Sequence, residues 1–96
     1  MKRPLLKSVK PVEKYKIYVR FADGTHGIYD LNHLAGRGVF KMWDFNDTFN
    51  KVFISPESGA ITWPGELDID TINVYCTLKN IEVEQYLKSS VQHASY

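Results

Sequence analysis

Tyr15-Lys16-Ile17-Tyr18-Val19-Arg20-Phe21-Ala22-Asp23-Gly24-Thr25-His26-Gly27-Ile28-Tyr29 is the stretch whose reading decides the fold. Tyr15, Ile17, Val19 and Phe21 alternate with Lys16, Tyr18 and Arg20, the period of two that marks a half-buried strand. Asp-Gly between two such runs is a strong short-range hairpin signal. With Asp23 and Gly24 as the two loop residues, a type I′ turn requires Gly24 at positive φ. Phe21 then faces His26, Val19 faces Ile28, and Tyr18 faces Tyr29. Ile17, Val19 and Phe21 point inward. Leu5 to Val12 supplies a neighbouring strand, confined to an edge because Pro4 and Pro11 have no N–H to donate.

Outward from the hairpin the period changes. Asp30-Leu31-Asn32-His33-Leu34 predicts a short helix capped by Asp30 or Asn32 and stopped by Gly36-Arg37-Gly38. Val39 to Trp43 predicts a second helical turn, and Asp44 to Phe49 a third with Asp44 as N-cap. Lys51 to Ser55 and Ala60 to Trp63 form a second hairpin around Pro56-Glu57-Ser58-Gly59, and Pro64-Gly65 ends its last strand. Asp70 or Thr71 caps a helix running to about Lys79. The expected architecture is α+β: a small antiparallel sheet from two hairpins plus an N-terminal edge strand, short helices between the hairpins, and a C-terminal helix. Residues 1–79 form one domain, and residues 80–96 a partial helix and tail.

The 96 residues bound the rest. A hydrophobic fraction of 44% and a charged fraction of 24% are those of a globular chain rather than a disordered one. No apolar run approaches the roughly 20 residues that span a bilayer, and the basic start Met1-Lys2-Arg3-Pro4-Leu5-Leu6-Lys7 lacks a signal-peptide h-region. The lone Cys76 can form no internal disulfide. A cytoplasmic protein without a membrane partner is expected. The net charge of +1 conceals an asymmetry, because residues 1–20 hold seven basic side chains against Glu13 alone. Such a split either signals an anionic partner or is neutralised within one folded unit.

The order of features resembles the bacterial domain-of-unknown-function family 2442. The resemblance rests on Phe21-Ala22-Asp23-Gly24, Ile28-Tyr29-Asp30-Leu31 with Leu34, Gly38-Val39-Phe40, Trp43-Asp44, Phe49-Asn50-Lys51-Val52, Gly59-Ala60-Ile61-Thr62-Trp63-Pro64 and Leu67-Asp68-Ile69-Asp70. It implies a small α+β domain and brings no accepted activity and no catalytic residues. Some members of that family continue into a helix-turn-helix. Others are encoded beside another small protein, which implies toxin–antitoxin-like pairing. About twenty residues follow the matching region here, too few for a helix-turn-helix, so autonomous DNA binding is not expected.

Few residues are arranged for chemistry. His26, His33 and His93 occur singly, without the paired spacing of a metal site. Cys76 lies in an apolar helical stretch and reads as a buried, inert thiol. Glu66, Asp68 and Asp70 would share one face of an extended segment, where their oxygens could hold Mg²⁺ or Ca²⁺ weakly. Capping of the following helix by Asp68 or Asp70, with Leu67 and Ile69 filling the core, is the simpler account. Trp63 reads as a core plug whose N–H bonds to backbone. No enzyme and no cofactor are expected. The preferred function is a non-enzymatic interaction module, an inhibitory partner of a small protein or a self-associating chain, with Tyr29 and Trp43 as exposed aromatic anchors. The alternative is a nucleic-acid-binding or transcriptional accessory protein. It would use Lys14, Lys16 and Arg20, with Tyr18 among them, on the solvent face of one strand.

Overall fold

The computed structural model describes residues 4–87. Of the partial helix and tail expected over residues 80–96, residues 88–96, His93 among them, lie outside the described residues. Three strands, β1 (Leu6–Glu13), β2 (Lys16–Phe21) and β3 (His26–Asp30), form an antiparallel sheet in the order β1-β2-β3. Ile17, Val19 and Phe21 are buried to the last few per cent, while Tyr18 and Arg20 face outward. The alternation in the sequence is therefore the alternation in space. β1 occupies an edge, with register shifts on either side of its central residues.

The hairpin turns where Asp-Gly predicts, but one residue longer. Arg20 pairs with His26, Val19 with Gly27, Tyr18 with Ile28 and Ile17 with Tyr29. Phe21 N–H donates to Thr25 O at 2.7 Å, closing a three-residue loop of Ala22, Asp23 and Gly24. Gly24 does take positive φ, +93°, as the last residue of a three-residue loop rather than in a two-residue type I′ turn. The Asp23 carboxylate accepts from Thr25 N–H at 2.9 Å, which holds the longer loop. This one-residue slip exchanges the two faces of β3. Tyr29 turns into the core and Ile28 out to solvent.

A second antiparallel sheet contains β4 (Phe53–Ile54), β5 (Ile61–Trp63) and β6 (Leu67–Ile69), in that order. The hairpin around Pro56 to Gly59 is as the sequence predicts, closed by Ser55 N–H to Ala60 O at 2.9 Å. β6 is a strand the sequence reading leaves out. Pro64 and Gly65 do not simply end β5; they begin a tight reversal in which Gly65 and Glu66 have φ of 93° and 63°. That reversal brings Leu67 opposite Trp63. The strands thus divide into two three-stranded sheets.

Two 3₁₀ helices, Gly38–Asp44 and Thr48–Lys51, connect the sheets. The expected helix after Asp30 is instead a run of turns: the Asp30 carboxylate accepts from Asn32 N–H at 2.8 Å, but the bonds that follow, Leu34 N–H and Ala35 N–H to Leu31 O and Arg37 N–H to Leu34 O, close separate turns rather than a helical ladder. Asp44 caps nothing; its carboxylate accepts from the Tyr15 hydroxyl. Helix α1 (Thr71–Lys79) is capped by Asp70, which accepts from Ile72 N–H at 3.0 Å. Asn80, left-handed at φ 58°, ends it, and Ile81 N–H returns to Cys76 O at 3.0 Å. Residues 83–87 are again helical.

One apolar cluster joins both sheets, both 3₁₀ helices and α1. Trp63 sits in it with no exposed surface, and its N–H donates to Phe49 O at 3.0 Å. Cys76 is buried and unpaired, and burial raises its pKa. α1 is tied to the hairpin tip by the Tyr75 hydroxyl, which donates to the Asp23 carboxylate. Together with the Thr25 N–H, this bond lowers the Asp23 pKa to about 2. A carboxyl held below its unfolded value stabilises the folded state above that value and loses the contribution as pH falls. The Tm advantage of the parent over Tyr75→Phe should therefore be constant near neutrality and shrink between about pH 4 and pH 2. Thermal melts of both proteins across that range check it; a pH-independent difference would show that the bond carries no charge-dependent stability.

Candidate functional site

The first 3₁₀ helix sets up the most distinctive surface. In a 3₁₀ helix residues i and i+3 eclipse one another, so the segment has a three-residue period. Phe40 and Trp43 fall on the inner side, with Trp43 only 3% exposed and its ring 4.9 Å from those of Phe40 and Trp63. Val39, Met42 and the C-cap Phe45 fall on the outer side. Val39 and Phe45 are 62% and 64% exposed. Met42 leans on the Pro64–Gly65 reversal, where its Cε would lie 2.5 Å from any Cβ placed on Gly65. Large apolar side chains aligned at this exposure, on a backbone fixed from beneath by aromatic rings, form a surface suited to protein contact.

At the C-terminal end of this helix lies a cleft of about 400 Å³, lined by Lys14, Tyr15, Trp43, Asp44, Asp47 and Phe49 together with Asn50. The Tyr15 ring stacks against Trp43 and meets Phe49 edge-on at 5.7 Å, and Lys14 Nζ lies 5.2 Å from the Tyr15 centroid. The hydrogen bond to Asp44 and partial burial raise the Tyr15 pKa. Tyr15, Asn46 and Asp47 are all left-handed, at φ 64°, 53° and 58°. Asn and Asp adopt that region readily; a tyrosine does not, and costs of order 1–3 kcal/mol attach to such residues. The ring packing and the Asp44 bond hold Tyr15 there. The Trp43 N–H is buried in the same region with no acceptor among the described residues, a donor whose desolvation the fold leaves uncompensated.

The sequence-predicted site residues are distributed differently. Tyr29, 9% exposed, and Trp43 are core residues, so neither is an exposed anchor. Desolvation raises the Tyr29 pKa. Exposed apolar residues lie close to them in the chain, Ile28 beside Tyr29, and Met42 and Phe45 on either side of Trp43. Lys14 leaves the expected basic row, because it lies in the β1–β2 turn and covers Tyr15. Lys16 pairs with Glu13 at 3.4 Å. Tyr18 and Arg20 do share the outer face, where Lys10 Nζ sits 5.6 Å from the Tyr18 centroid and His26 flanks the ring. Among the described residues, no three His, Cys, Asp or Glu side chains converge to hold a metal ion, and no helix is long and apolar enough to cross a membrane.

No curated protein and no solved structure matches the chain. The family described as a protein of unknown function, DUF2442, matches over residues 6–80. That span begins at the first residue of β1 and closes on the α1 C-cap, taking in both sheets, both 3₁₀ helices and the cleft. The chain belongs to the DUF2442 family.

Proposed function

We propose that this domain is a non-enzymatic, cytoplasmic protein-interaction module whose partner docks on the outer face of the first 3₁₀ helix. The observation that carries the reading is the high exposure of Val39 and Phe45, with the partly exposed Met42 between them, beside the packed Phe40–Trp43 pair. Such a surface needs no induced ordering of its own backbone, which keeps the entropic cost of docking low. The inhibitory half of a two-protein system is the role that the family resemblance suggests for such a module. The buried thiol of Cys76, and His26 turned back on Gly24 O at 2.9 Å, support a binding role over a catalytic one.

Isolation of the full chain from its host, with the parent and the Val39→Asp/Phe45→Asp pair compared, tests the proposal. Each lost apolar anchor should cost about 2 kcal/mol of binding or more. The parent should retain a stoichiometric protein partner and the double variant should lose it with its melting temperature unchanged. Lys10→Glu/Lys16→Glu/Arg20→Glu should leave the partner bound. If that triple variant instead abolishes salt-sensitive binding to DNA or RNA, and the apolar pair has no effect, the nucleic-acid reading replaces this one.

A further inference from the structure

We infer that β3 pairs antiparallel with β3 of a second copy of the chain, joining two three-stranded sheets into one six-stranded sheet. Two hydrogen bonds fix which backbone groups of β3 are free. Phe21 N–H donates to Thr25 O and Leu31 N–H donates to Tyr15 O, both at 2.7 Å. In an antiparallel ladder, bonded and non-bonded pairs alternate. Gly27 and Tyr29 therefore bond to Val19 and Ile17, and the N–H and C=O groups of His26, Ile28 and Asp30 point away from β2. β3 is the last strand of its sheet, and these groups have no partner strand among the described residues.

The two edges of this sheet are unlike. β1 carries Lys7, Lys10 and Pro11 and two register shifts, the devices that blunt an edge against pairing. β3, His26-Gly27-Ile28-Tyr29-Asp30, has no lysine, no proline and no shift, and its central Ile28 is 58% exposed. An open edge of this kind invites a further strand.

The sequence of β3 says which strand. Antiparallel pairing about Ile28 places Ile28 against Ile28 of the second copy, and His26 against Asp30 of the second copy, twice by symmetry. Each of those is a bonded pair, so the seam closes with six backbone hydrogen bonds. Opposite His and Asp side chains are a favourable cross-strand pair, and two Ile side chains bury each other. On the inner side Gly27 falls against Tyr29 of the second copy, so the residue without a side chain opposes the largest one. The strand is complementary to itself in size and in bonding, and sets a polar pair at each end of the seam. A seam of five residues a side is far smaller than the ~800 Å² per partner of standard interfaces, so the dimer should be weak, with a dissociation constant on the order of 100 µM.

Sedimentation equilibrium of the full chain from about 10 µM to about 1 mM tests this, with hydrogen exchange of the Ile28 amide at both ends of the range. The expected result is a monomer–dimer equilibrium in which Ile28 protection rises with concentration. Ile28→Pro removes the two central bonds of the seam without touching a β2 bond, and should raise the dissociation constant about 100-fold. Ile28→Lys should act in the same direction. His26→Asp, which sets like charges opposite each other, should weaken the dimer, and His26→Lys should preserve it. Monomer throughout, with Ile28 unprotected, overturns the inference. So does concentration-independent protection in a monomer, which would mean that another part of the chain covers the edge. A dimer indifferent to both Ile28 variants, and so formed elsewhere, overturns it as well.

Discussion

Trp63→Ala should remove most of the stability of this domain. The indole has no exposed surface, lies 4.9 Å from Trp43 and 5.8 Å from Phe49 centroid to centroid, and bonds to Phe49 O. Truncating a buried aromatic to alanine costs about 3–5 kcal/mol, and the orphaned carbonyl adds about 1–3 kcal/mol. A chain of 96 residues holds roughly 5–14 kcal/mol in total at the usual figure per residue. At about 4–8 °C per kcal/mol, the melting temperature should fall by at least about 15 °C. Trp63→Phe keeps most of the ring and loses the bond, so it should fall between the parent and alanine. Calorimetry of the three proteins decides the matter. A Trp63→Ala protein melting within about 5 °C of the parent would mean that the aromatic cluster is not the centre of the core.

Phe21→Ala should cost about 3–4 kcal/mol and act unevenly over the fold. Phe21 ends β2, is buried, and meets Tyr75 of α1 edge-on at 5.0 Å. Edge-to-face pairs add about 0.5–1.5 kcal/mol beyond the area they bury. The same Tyr75 holds Asp23, so the hairpin tip and α1 share one junction. Removing Phe21 should release the helix before the second sheet. Amides of residues 72–79 should then exchange faster relative to those of 61–63 than in the parent. Equal acceleration in both segments would show that the domain opens as one unit.

Much of this junction is legible in the residues alone. Alternation over Ile17 to Phe21 sets the inward face of β2. Asp70 has the carboxylate an N-cap needs, and Trp63 is a bulky aromatic with one donor to satisfy. Each of these follows from side-chain chemistry acting within a few residues. What is not legible depends on a single residue of spacing. Asp-Gly suits a two-residue turn, and it suits equally a three-residue loop that ends on a left-handed Gly24. Only the choice between them decides whether Ile28 or Tyr29 meets solvent. In the segment after Gly36, apolar residues at 39, 40, 42, 43 and 45 fit a helical period of 3.6 as well as one of 3.0. The tighter period puts Trp43 inside and leaves Phe45 out. β6 has three residues, too few for alternation to distinguish a strand from a loop, although Leu67 and Ile69 do face the core.

The candidate surface was legible only through its neighbours for the same reason. Tyr29 and Trp43 are large aromatics, and size alone cannot tell a core plug from a docking anchor. The cleft beside Tyr15 leaves no sequence signal, because a left-handed tyrosine is imposed by Trp43, Phe49 and Asp44, which lie 28 to 34 positions further along the chain. Lys14 follows Tyr15 into that turn and out of the basic row.

The three-residue period of the first 3₁₀ helix also limits how this family can change length. One residue inserted or deleted between Gly38 and Trp43 rotates everything beyond it by about a third of a turn. That rotation would carry Trp43 off the core and bring a neighbour into its place. Substitutions at Val39, Met42 and Phe45 leave the rotation untouched. Descendants of this chain can therefore exchange the outer side chains, while the number of residues in the segment is held constant by what lies underneath.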